Sequence, residues 1–305
     1  MHPELRERLQ GVVGGRARFD VPLARYTSFR IGGPADALVE PESVAELQTL
    51  VSLLRQEAVP FFILGGGTNI LVSDRGVRGV VIRLGEYFDY VRWEEEGETA
   101  RVQVGAARTL GRFVRDAVGK GYGGVEFAEG IPGSVGGGLF MNAGAFGGEL
   151  SRVVETVAGV SGEGSRVCLT KEELGFAYRR TALPAGFIVT AIRFCLWRGP
   201  QAHLRAAMER ARQKRHQAQP HGYPNAGSIF KNPPGAAAGR LIEAAGLKGL
   251  KAGRAQVSEK HANFIVNVGG ATAAEVRQLV EQVRQVVWEK MHVWLEPEIR
   301  FVGEW

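Results

Sequence analysis

The apolar positions near the start of the chain predict a strand–helix–strand unit. Residues 36–39 predict the first strand, and Ser43 with Glu46 has the spacing of a capping box that opens a helix. Residues 61–64 predict a short buried strand that leads directly into the glycine-rich segment 65–69. The apolar face of the intervening helix repeats at helical spacing and consists of Val44, Leu47, Leu50, Val51 and Leu54.

Apolar periodicity continues along the rest of the chain. Further strands are predicted at 79–84, 101–104, 153–160, 187–196, 264–266 and 298–302, and helices at 202–217 and 239–245. Thr272 and Glu275 form a second capping box, before a helix whose apolar face is Val276, Leu279, Val280, Val283 and Val287. The sequence Arg198-Gly199-Pro200 interrupts the pattern, so we place the main domain boundary there. The residues beyond it are expected to form a separate α/β layer domain.

Glycine is the unusual component of the composition, with 42 in 305 residues. Eleven lie between positions 121 and 148, among apolar residues that a flexible linker would lack. This segment is therefore predicted to be packed, with its backbone close to another group. Residues 65–69 expose consecutive amide groups that can cradle a pyrophosphate, although neither a P-loop ending nor Rossmann spacing is present. Two such loops can hold the two ends of one dinucleotide.

The charge, the hydropathy and the cysteine content indicate which ligands and which cellular compartment suit this protein. The formal net charge of +6 suits anionic ligands, and the basic run at 205–215 is interpreted as a solvated helix face. A diphosphate-facing edge is the alternative, whereas nucleic-acid binding is not expected because no aromatic residues interleave with the run. No apolar run reaches the ~18 residues of a membrane span, and no signal-peptide core begins the chain. Cys168 and Cys195 are predicted to be reduced, which indicates the cytoplasm.

The segment 226–233 carries the clearest candidate chemistry. Ser228 lies beside Gly227, with Lys231 and Asn232 three and four positions further on. The hydroxyl can give a proton to a reaction centre, while the cation and amide can bind a phosphate or carboxylate. The alternative is a tight turn closed by prolines, in which Lys231 is merely solvated.

Several segments together, in their order along the chain, resemble the UDP-N-acetylenolpyruvoylglucosamine reductase family. They are 27–35 (TSFRIGGPA), 64–69 (LGGGTN), 127–138 (FAEGIPGSVGGG), 141–144 (MNAG), 176–180 (FAYRR), 227–233 (GSIFKNP), 239–243 (GRLIE), 245–249 (AGLKG) and 256–264 (QVSEKHANF). The resemblance covers nearly the whole chain. Only 49 positions separate Arg179 from Ser228, which resembles the shorter, second type of the family. Arg254 departs from the pattern, because relatives usually have a small glycine there.

The resemblance implies an α+β protein with an FAD-binding fold of the vanillyl-alcohol oxidase type in two subdomains, plus a C-terminal α/β substrate domain. The implied domains are residues 1–85, 86–198 and 199–305. The implied activity is reduction of the enolpyruvyl ether of UDP-N-acetylglucosamine to UDP-N-acetylmuramate, in peptidoglycan precursor synthesis. It uses non-covalent FAD, with NADPH as co-substrate and no metal. No histidine near the glycine loops is available to tether the flavin. We expect a monomer.

The resemblance also implies roles for individual residues. Ser228 would donate the proton that follows hydride transfer, and Arg179 and Glu298 would hold the substrate carboxylate. The implied FAD-binding residues are Gly65, Gly66, Gly67, Thr68, Asn69, Ile70, Gly130, Ile131, Ser134, Gly137, Asn142 and Ala143. The implied substrate-binding residues are Tyr178, Lys231, Asn232 and His261. Read from the residues alone, Arg179 is a surface arginine and Glu298 a charge at a strand edge.

Two other functions remain open on the sequence. A sugar or alcohol oxidase of the same cofactor fold would keep the Gly65 loop, but has no need of the Ser228 motif or of segment 256–264. A non-catalytic sensor of nucleotide sugars would use the same pockets without needing a proton donor.

Overall fold

The computed structural model describes all residues, 1–305. The helices are α1 Pro3–Val13, α2 Val44–Gln56, α3 Leu110–Gly119, α4 Val135–Phe140, α5 Gln201–Ala218, α6 Ala238–Ala244 and α7 Ala273–Met291. The strands are β1 Ala17–Pro22, β2 Pro34–Val39, β3 Phe61–Ile63, β4 Ile70–Val72, β5 Val77–Ile82, β6 Val91–Glu96, β7 Thr99–Gly105, β8 Tyr122–Gly123, β9 Gly144–Ala145, β10 Gly148–Glu149, β11 Val154–Val160, β12 Arg166–Thr170, β13 Ile188–Arg198, β14 Lys251–Ala252, β15 Ala255–Val257, β16 Ile265–Asn267 and β17 Arg300–Val302. No helix is both long and apolar enough to cross a bilayer.

Contacts divide the chain into two compact units. Unit 1 comprises residues 1–19, 37–66 and 79–214, and unit 2 comprises residues 20–36, 67–78 and 215–305. Both units are therefore discontinuous in sequence. The division between the first two of the three domains proposed from the sequence, after residue 85, stays a prediction, as does the boundary after residue 198.

Unit 1 contains two apolar cores. One lies where α1 and α2 meet β2 and β5 and includes Leu9, Leu50 and Val80. The other lies between α3 and the six-stranded sheet, whose main order is β12-β11-β13-β7-β6, with β8 also pairing with β13. The pairs of that sheet are antiparallel, and β7 alternates between buried and exposed residues at its start, as its sequence predicts.

The strand–helix–strand prediction for the first part of the chain is confirmed with corrections. β2 and β3 belong to one sheet of order β1-β2-β5-β3, with β5 between them. β3 pairs in parallel with β5, but its residues are half-buried rather than buried. The Ser43 hydroxyl caps α2 by accepting the main-chain N–H of Glu46. The Glu46 carboxylate, however, accepts hydrogen bonds from the main-chain N–H of Glu42 and from the Arg16 guanidinium. The predicted capping box is therefore only half formed, because a basic side chain competes for that carboxylate.

The glycine-dense segment 121–148 is packed, as predicted. It contains α4 and the short pair β9–β10, and Leu139 is fully buried. A Cβ atom on Gly148 would lie 2.4 Å from the ring of Phe127, so only glycine fits there. Both cysteines are free. Cys168 is exposed, and burial raises the pKa of the partly buried Cys195 thiol.

Unit 2 is built around α7. The capping box of Thr272 and Glu275 is complete, and all five predicted apolar-face residues of this helix are buried. They pack into one core with β15, β16 and α6. β17 pairs in parallel with β4, which brings the end of the chain beside residues 70–72. β17 begins at Arg300 instead of the predicted 298, because Glu298 pairs with a different segment.

Candidate active site

Two glycine loops of unit 1 touch through their backbones. A Cβ atom on Gly66 would lie 2.6 Å from the Cα atom of Gly133, and one on Gly65 would lie 2.9 Å from the Ser134 hydroxyl oxygen. Ordinary carbon contacts are near 3.5–4.0 Å, so a side chain at Gly66 would force the two backbones apart, whereas one at Gly65 would meet only the Ser134 hydroxyl at close range. The two loops that the sequence suggested for one dinucleotide are thus neighbours, and their approach requires glycine at position 66.

The amide groups at this contact are suited to an anion. No hydrogen bond within the chain uses the N–H groups of Gly65, Gly66, Gly133 or Ser134, and Gly65 and Gly66 are exposed. A cluster of unpaired amide donors on glycine-rich backbone is the usual cradle for phosphate oxygens. The diphosphate of a dinucleotide such as FAD fits this donor set.

The other predicted cofactor residues of unit 1 lie around these loops. The Ser134 hydroxyl accepts the Gly137 N–H at 3.2 Å and thereby caps α4. Gly130 adopts a φ of 76°, a conformation that favours glycine. Ile131 is partly buried, and Ala143 is 8% exposed. Their contacts with a cofactor stay predictions.

Arg179 lies at the tip of a tight turn in unit 1. Ala177 and Arg180 exchange both main-chain hydrogen bonds, at 2.9 and 3.1 Å, which leaves Tyr178 and Arg179 as the two turn residues. Arg179 has a φ of 55°, in the left-handed region where glycine is normally found. Holding a non-glycine residue there costs about 1–2 kcal/mol. Such strained positions occur preferentially at functional sites.

Asn142 is hydrogen-bonded to the first residue of this turn. Its side-chain amide donates to the Ala177 carbonyl at 3.1 Å and accepts the Ser151 N–H at 3.0 Å, and the residue is 1% exposed. The family resemblance assigned Asn142 to the cofactor, and that role stays a prediction. The structure gives its amide two main-chain partners, and one of them belongs to the Arg179 turn.

The second half of the first glycine loop belongs to unit 2. Gly67 packs against the main chain of Tyr26 so closely that a Cβ atom would lie 2.0 Å from the Tyr26 carbonyl oxygen. Asn69 faces the C-terminal end of the chain, because its amide donates to the Glu298 carbonyl at 3.1 Å and its own carbonyl accepts the Arg300 N–H at 3.1 Å. Thr68 and Ile70 flank it, partly buried and buried respectively.

The structure places Ser228 and Glu298 on paired segments of unit 2. Phe230 forms an antiparallel bridge with Pro297. On either side of it, the Glu298 N–H donates to the Ile229 carbonyl at 2.7 Å and the Lys231 N–H donates to the Glu296 carbonyl at 2.9 Å. Ser228 and Glu298 are both partly exposed, so their side chains remain accessible. Glu298 is therefore hydrogen-bonded to the residue after Ser228, although Ser228 and Glu298 are 70 positions apart in the numbering.

Asn263 is a residue of this site that the sequence reasoning did not single out. Its amide accepts the Phe230 N–H at 2.9 Å and donates to the Phe230 carbonyl at 2.8 Å. Its main-chain carbonyl also accepts the Ile229 N–H at 2.8 Å. The available signal was an asparagine between Ala262 and Phe264 in an apolar stretch, since a buried amide must find hydrogen-bond partners.

The predicted substrate residues have the following surroundings. Lys231 forms an ion pair with Glu296, and the Asn232 side-chain oxygen accepts the Ala238 N–H at 3.0 Å at the start of α6. His261 is partly buried, its Nδ1 atom accepts the Asn263 N–H at 3.2 Å, and burial lowers its pKa. In unit 1, the Arg179 guanidinium lies 5.2 Å from the ring centroid of the half-exposed Tyr178.

Comparison with known proteins explains this combination of features. The chain is 49% identical over 301 residues to UDP-N-acetylenolpyruvoylglucosamine reductase 2 of Symbiobacterium thermophilum, covering 97% of this chain and 96% of that protein. The chain belongs to the UDP-N-acetylenolpyruvoylglucosamine reductase family. Another reductase of this family, from Desulfosudis oleivorans, is 44% identical over the full length of both chains.

Domain and structure comparisons agree with the family. Residues 35–169 match an FAD binding domain, and residues 219–302 match the C-terminal domain of UDP-N-acetylenolpyruvoylglucosamine reductase. The crystal structure of the Thermus caldophilus reductase superimposes with a TM-score of 0.81 at 38% identity, covering 94% of this chain and all of that one. The berberine-bridge-enzyme-like protein 1 of Physcomitrella patens, at 16% identity and a TM-score of 0.54, shares the fold. The predicted fold class and the family resemblance are confirmed.

Proposed function

We propose that this reductase-family protein reduces the enolpyruvyl ether of UDP-N-acetylglucosamine to UDP-N-acetylmuramate, with NADPH as the reductant and FAD as the bound cofactor. Membership of the reductase family supports the reaction. The observation within the chain that favours catalysis over mere binding is the main-chain pairing of residues 229–231 with residues 296–298. It places the proposed proton donor Ser228 and the proposed carboxylate-binding residue Glu298 on adjoining segments, and a sensor has no need of a proton donor there.

FAD would be held by the backbone of the two glycine loops. The unpaired amides of Gly65, Gly66, Gly133 and Ser134 suit its diphosphate. When bound, FAD would supply hydride chemistry, passing hydride from NADPH to the methylene carbon of the substrate. The mode of attachment is proposed to be non-covalent, because no histidine lies in either loop.

Ser228 would supply the proton that completes the reduction. Addition of hydride to the methylene carbon leaves negative charge on the adjacent carbon and its carboxylate, and that carbon must then be protonated. A serine hydroxyl is a weak acid near neutral pH, but an enolate-like carbon is basic enough to take its proton. A donor in the correct position contributes about 10²–10⁴ in rate.

Arg179 would hold the carboxylate on which charge develops, and Glu298 would assist as a protonated group or as a partner of the Arg179 guanidinium, because two ionised carboxylates repel each other. The guanidinium of Arg179 matches a carboxylate with two parallel N–H donors, and fixed donors of this kind stabilise charge that develops during the reaction. Lys231, Asn232, Tyr178 and His261 are proposed to contact the nucleotide or pyruvyl parts of the substrate.

Two half-reactions measured by stopped-flow absorbance test this function. NADPH should bleach the flavin of the purified yellow protein, and the enolpyruvyl nucleotide should restore its colour. In Ser228→Ala the bleaching should keep its rate, while recovery of colour should slow by about 10²–10⁴. A colourless protein, or wild-type flavin that the nucleotide does not reoxidise, would exclude the proposed reaction. Equal slowing of both half-reactions would assign Ser228 a structural role instead.

We also propose that the enzyme acts as a monomer in the cytoplasm. Two free thiols suit a reducing compartment. Light scattering coupled to gel filtration should give a mass near 33.0 kDa plus one FAD, and twice that mass would show a dimer.

A further inference from the structure

We propose that Asn263 is a positioning residue for Ser228, an inference that rests on the proposed proton transfer. Asn263 contacts the two residues that directly follow Ser228, Ile229 and Phe230, through three hydrogen bonds. It would fix the course of the main chain at the proton donor without touching the substrate itself.

The amide of Asn263 takes the place of a neighbouring strand. Phe230 presents its N–H and C=O to one side, where an antiparallel partner would exchange two hydrogen bonds. The Asn263 side chain makes both of those bonds, at 2.9 and 2.8 Å. Only one orientation of the amide satisfies both, with its oxygen toward the N–H and its nitrogen toward the carbonyl.

The opposite edge of the same segment is already occupied. Ile229 and Lys231 bond there to Glu298 and Glu296. The Ser228 segment is therefore held on two sides, by residues 296–298 on one and by Asn263 on the other. Without Asn263, the main-chain groups of Phe230, which is 2% exposed, would be left buried without partners. The chain would have to move to recover them, and a shift of about 1 Å can cost 10²-fold in rate.

Asn263 is itself fixed in place. It is 4% exposed, and its N–H donates to the Nδ1 atom of His261. A side chain with locked geometry can transmit its position to the segment it bonds, which is what precise placement of a reacting group requires.

The informative variant is Asn263→Asp, because it keeps the shape and the acceptor but removes the donor to the Phe230 carbonyl. We expect NADPH to bleach the flavin at the wild-type rate, while reoxidation by the enolpyruvyl nucleotide falls at least tenfold. Asn267→Asp is the matched control, since Asn267 is equally buried in the same unit but bonds Phe29, Gly269 and Ala271 instead. The control should leave the ratio of the two rates unchanged.

The dependence on Ser228 and on pH separates positioning from general loss of structure. In the Ser228→Ala background, Asn263→Asp should cause no further loss of the reoxidation rate, because nothing remains to be positioned. Acidification should partly restore the single variant, since the protonated carboxyl regains the lost donor. The ionisable side chains of His261, Lys231, Glu296 and Glu298 lie on the segments next to Asn263 and Phe230, so the recovery is compared with the pH profile of the wild type. Asn263→Ser, which keeps a donor and an acceptor, replaces Asn263→Asp if that variant does not fold.

Each outcome decides the inference. Equal slowing of both half-reactions, an unchanged reoxidation rate, or the same fractional loss with and without Ser228 would overturn it while leaving the reductase function intact. Failure of the wild-type flavin to be reoxidised by the nucleotide would instead overturn the proposed function, and this inference with it.

Discussion

The N–H of Glu298 donates a 2.7 Å hydrogen bond to the carbonyl of Ile229, the residue after Ser228. This bond sets the spacing between the proposed proton donor and the proposed carboxylate-binding glutamate. The two residues come from different parts of the sequence, yet the relative position of their main chains is fixed by this pairing.

Replacing Glu298 with glutamine removes the charge of the side chain but keeps its size and its main-chain hydrogen bond, so it tests what the charge contributes to the reaction. Because the main-chain bond to Ile229 is retained, Glu298→Gln should fold normally and bind FAD. We expect reoxidation by the enolpyruvyl nucleotide to fall about 10²–10³-fold, the usual cost of losing one such contact. Reduction by NADPH should be unaffected, as stopped-flow absorbance would show. Unchanged reoxidation would remove Glu298 from the proposed site.

Arg179 offers a paired test, because its backbone strain and its side-chain function can be separated. Arg179→Ala and Arg179→Gly should both lower the reoxidation rate about 10²–10³-fold, since each lacks the guanidinium. Glycine adopts the left-handed conformation without steric cost, so Arg179→Gly should be more stable than Arg179→Ala by about 1 kcal/mol. Urea unfolding of the two variants gives this difference. Equal stabilities would argue against strain in the turn.

A methyl group at Gly66 should weaken FAD binding. The added Cβ atom would lie 2.6 Å from Gly133, so the two loops must separate and their amides no longer converge. We expect the FAD dissociation constant of Gly66→Ala to rise at least about tenfold, or about 1.4 kcal/mol, measured by quenching of flavin fluorescence. Gly119→Ala is the control, because a Cβ atom there meets nothing within 4 Å. Equal affinities in the two variants would contradict this account of the loops.

His261 should make the protein less stable in mild acid. Burial lowers the pKa of His261 in the folded state. Between the folded and unfolded pKa values, the unfolded chain therefore binds a proton at His261 that the folded chain does not bind. Stability from this group is present above the unfolded pKa of about 6.5 and is lost as the pH falls below it. Urea midpoints at about pH 7.5 and about pH 5.5 should differ less in His261→Gln than in the wild type. The same difference in both proteins would show that His261 does not contribute.

The local pattern of apolar and polar residues predicted helices and strands correctly where one face of the element is buried. Helix α7 is the clearest case, because its capping box and all five apolar positions are confirmed. The Ser43–Glu46 box failed at one bond because Arg16, distant in sequence, competes for the glutamate carboxylate. Helix α1 and strand β1 were not predicted.

The family resemblance predicted which residues form the candidate site. It did not predict the hydrogen bonds and backbone conformations that hold those residues in place. The hydrogen bonds of Asn142 and Asn263 link residues 35 and 33 positions apart. The left-handed conformation of Arg179 also gives no local signal, because arginine is not a residue that favours it. Long-range main-chain partners of buried amides are fixed only by the complete fold.

The parallel pairing of β17 with β4 has a consequence for folding while the chain is being synthesised on the ribosome. Asn69 and Glu298, at the start of that contact, are separated by 229 residues. At about 5–20 residues per second, the apolar strand Ile70–Val72 leaves the ribosome roughly ten to fifty seconds before its partner exists. Unit 2 therefore cannot mature until residues 300–302 have been made, and a chain that lacks them would keep this strand without its parallel partner.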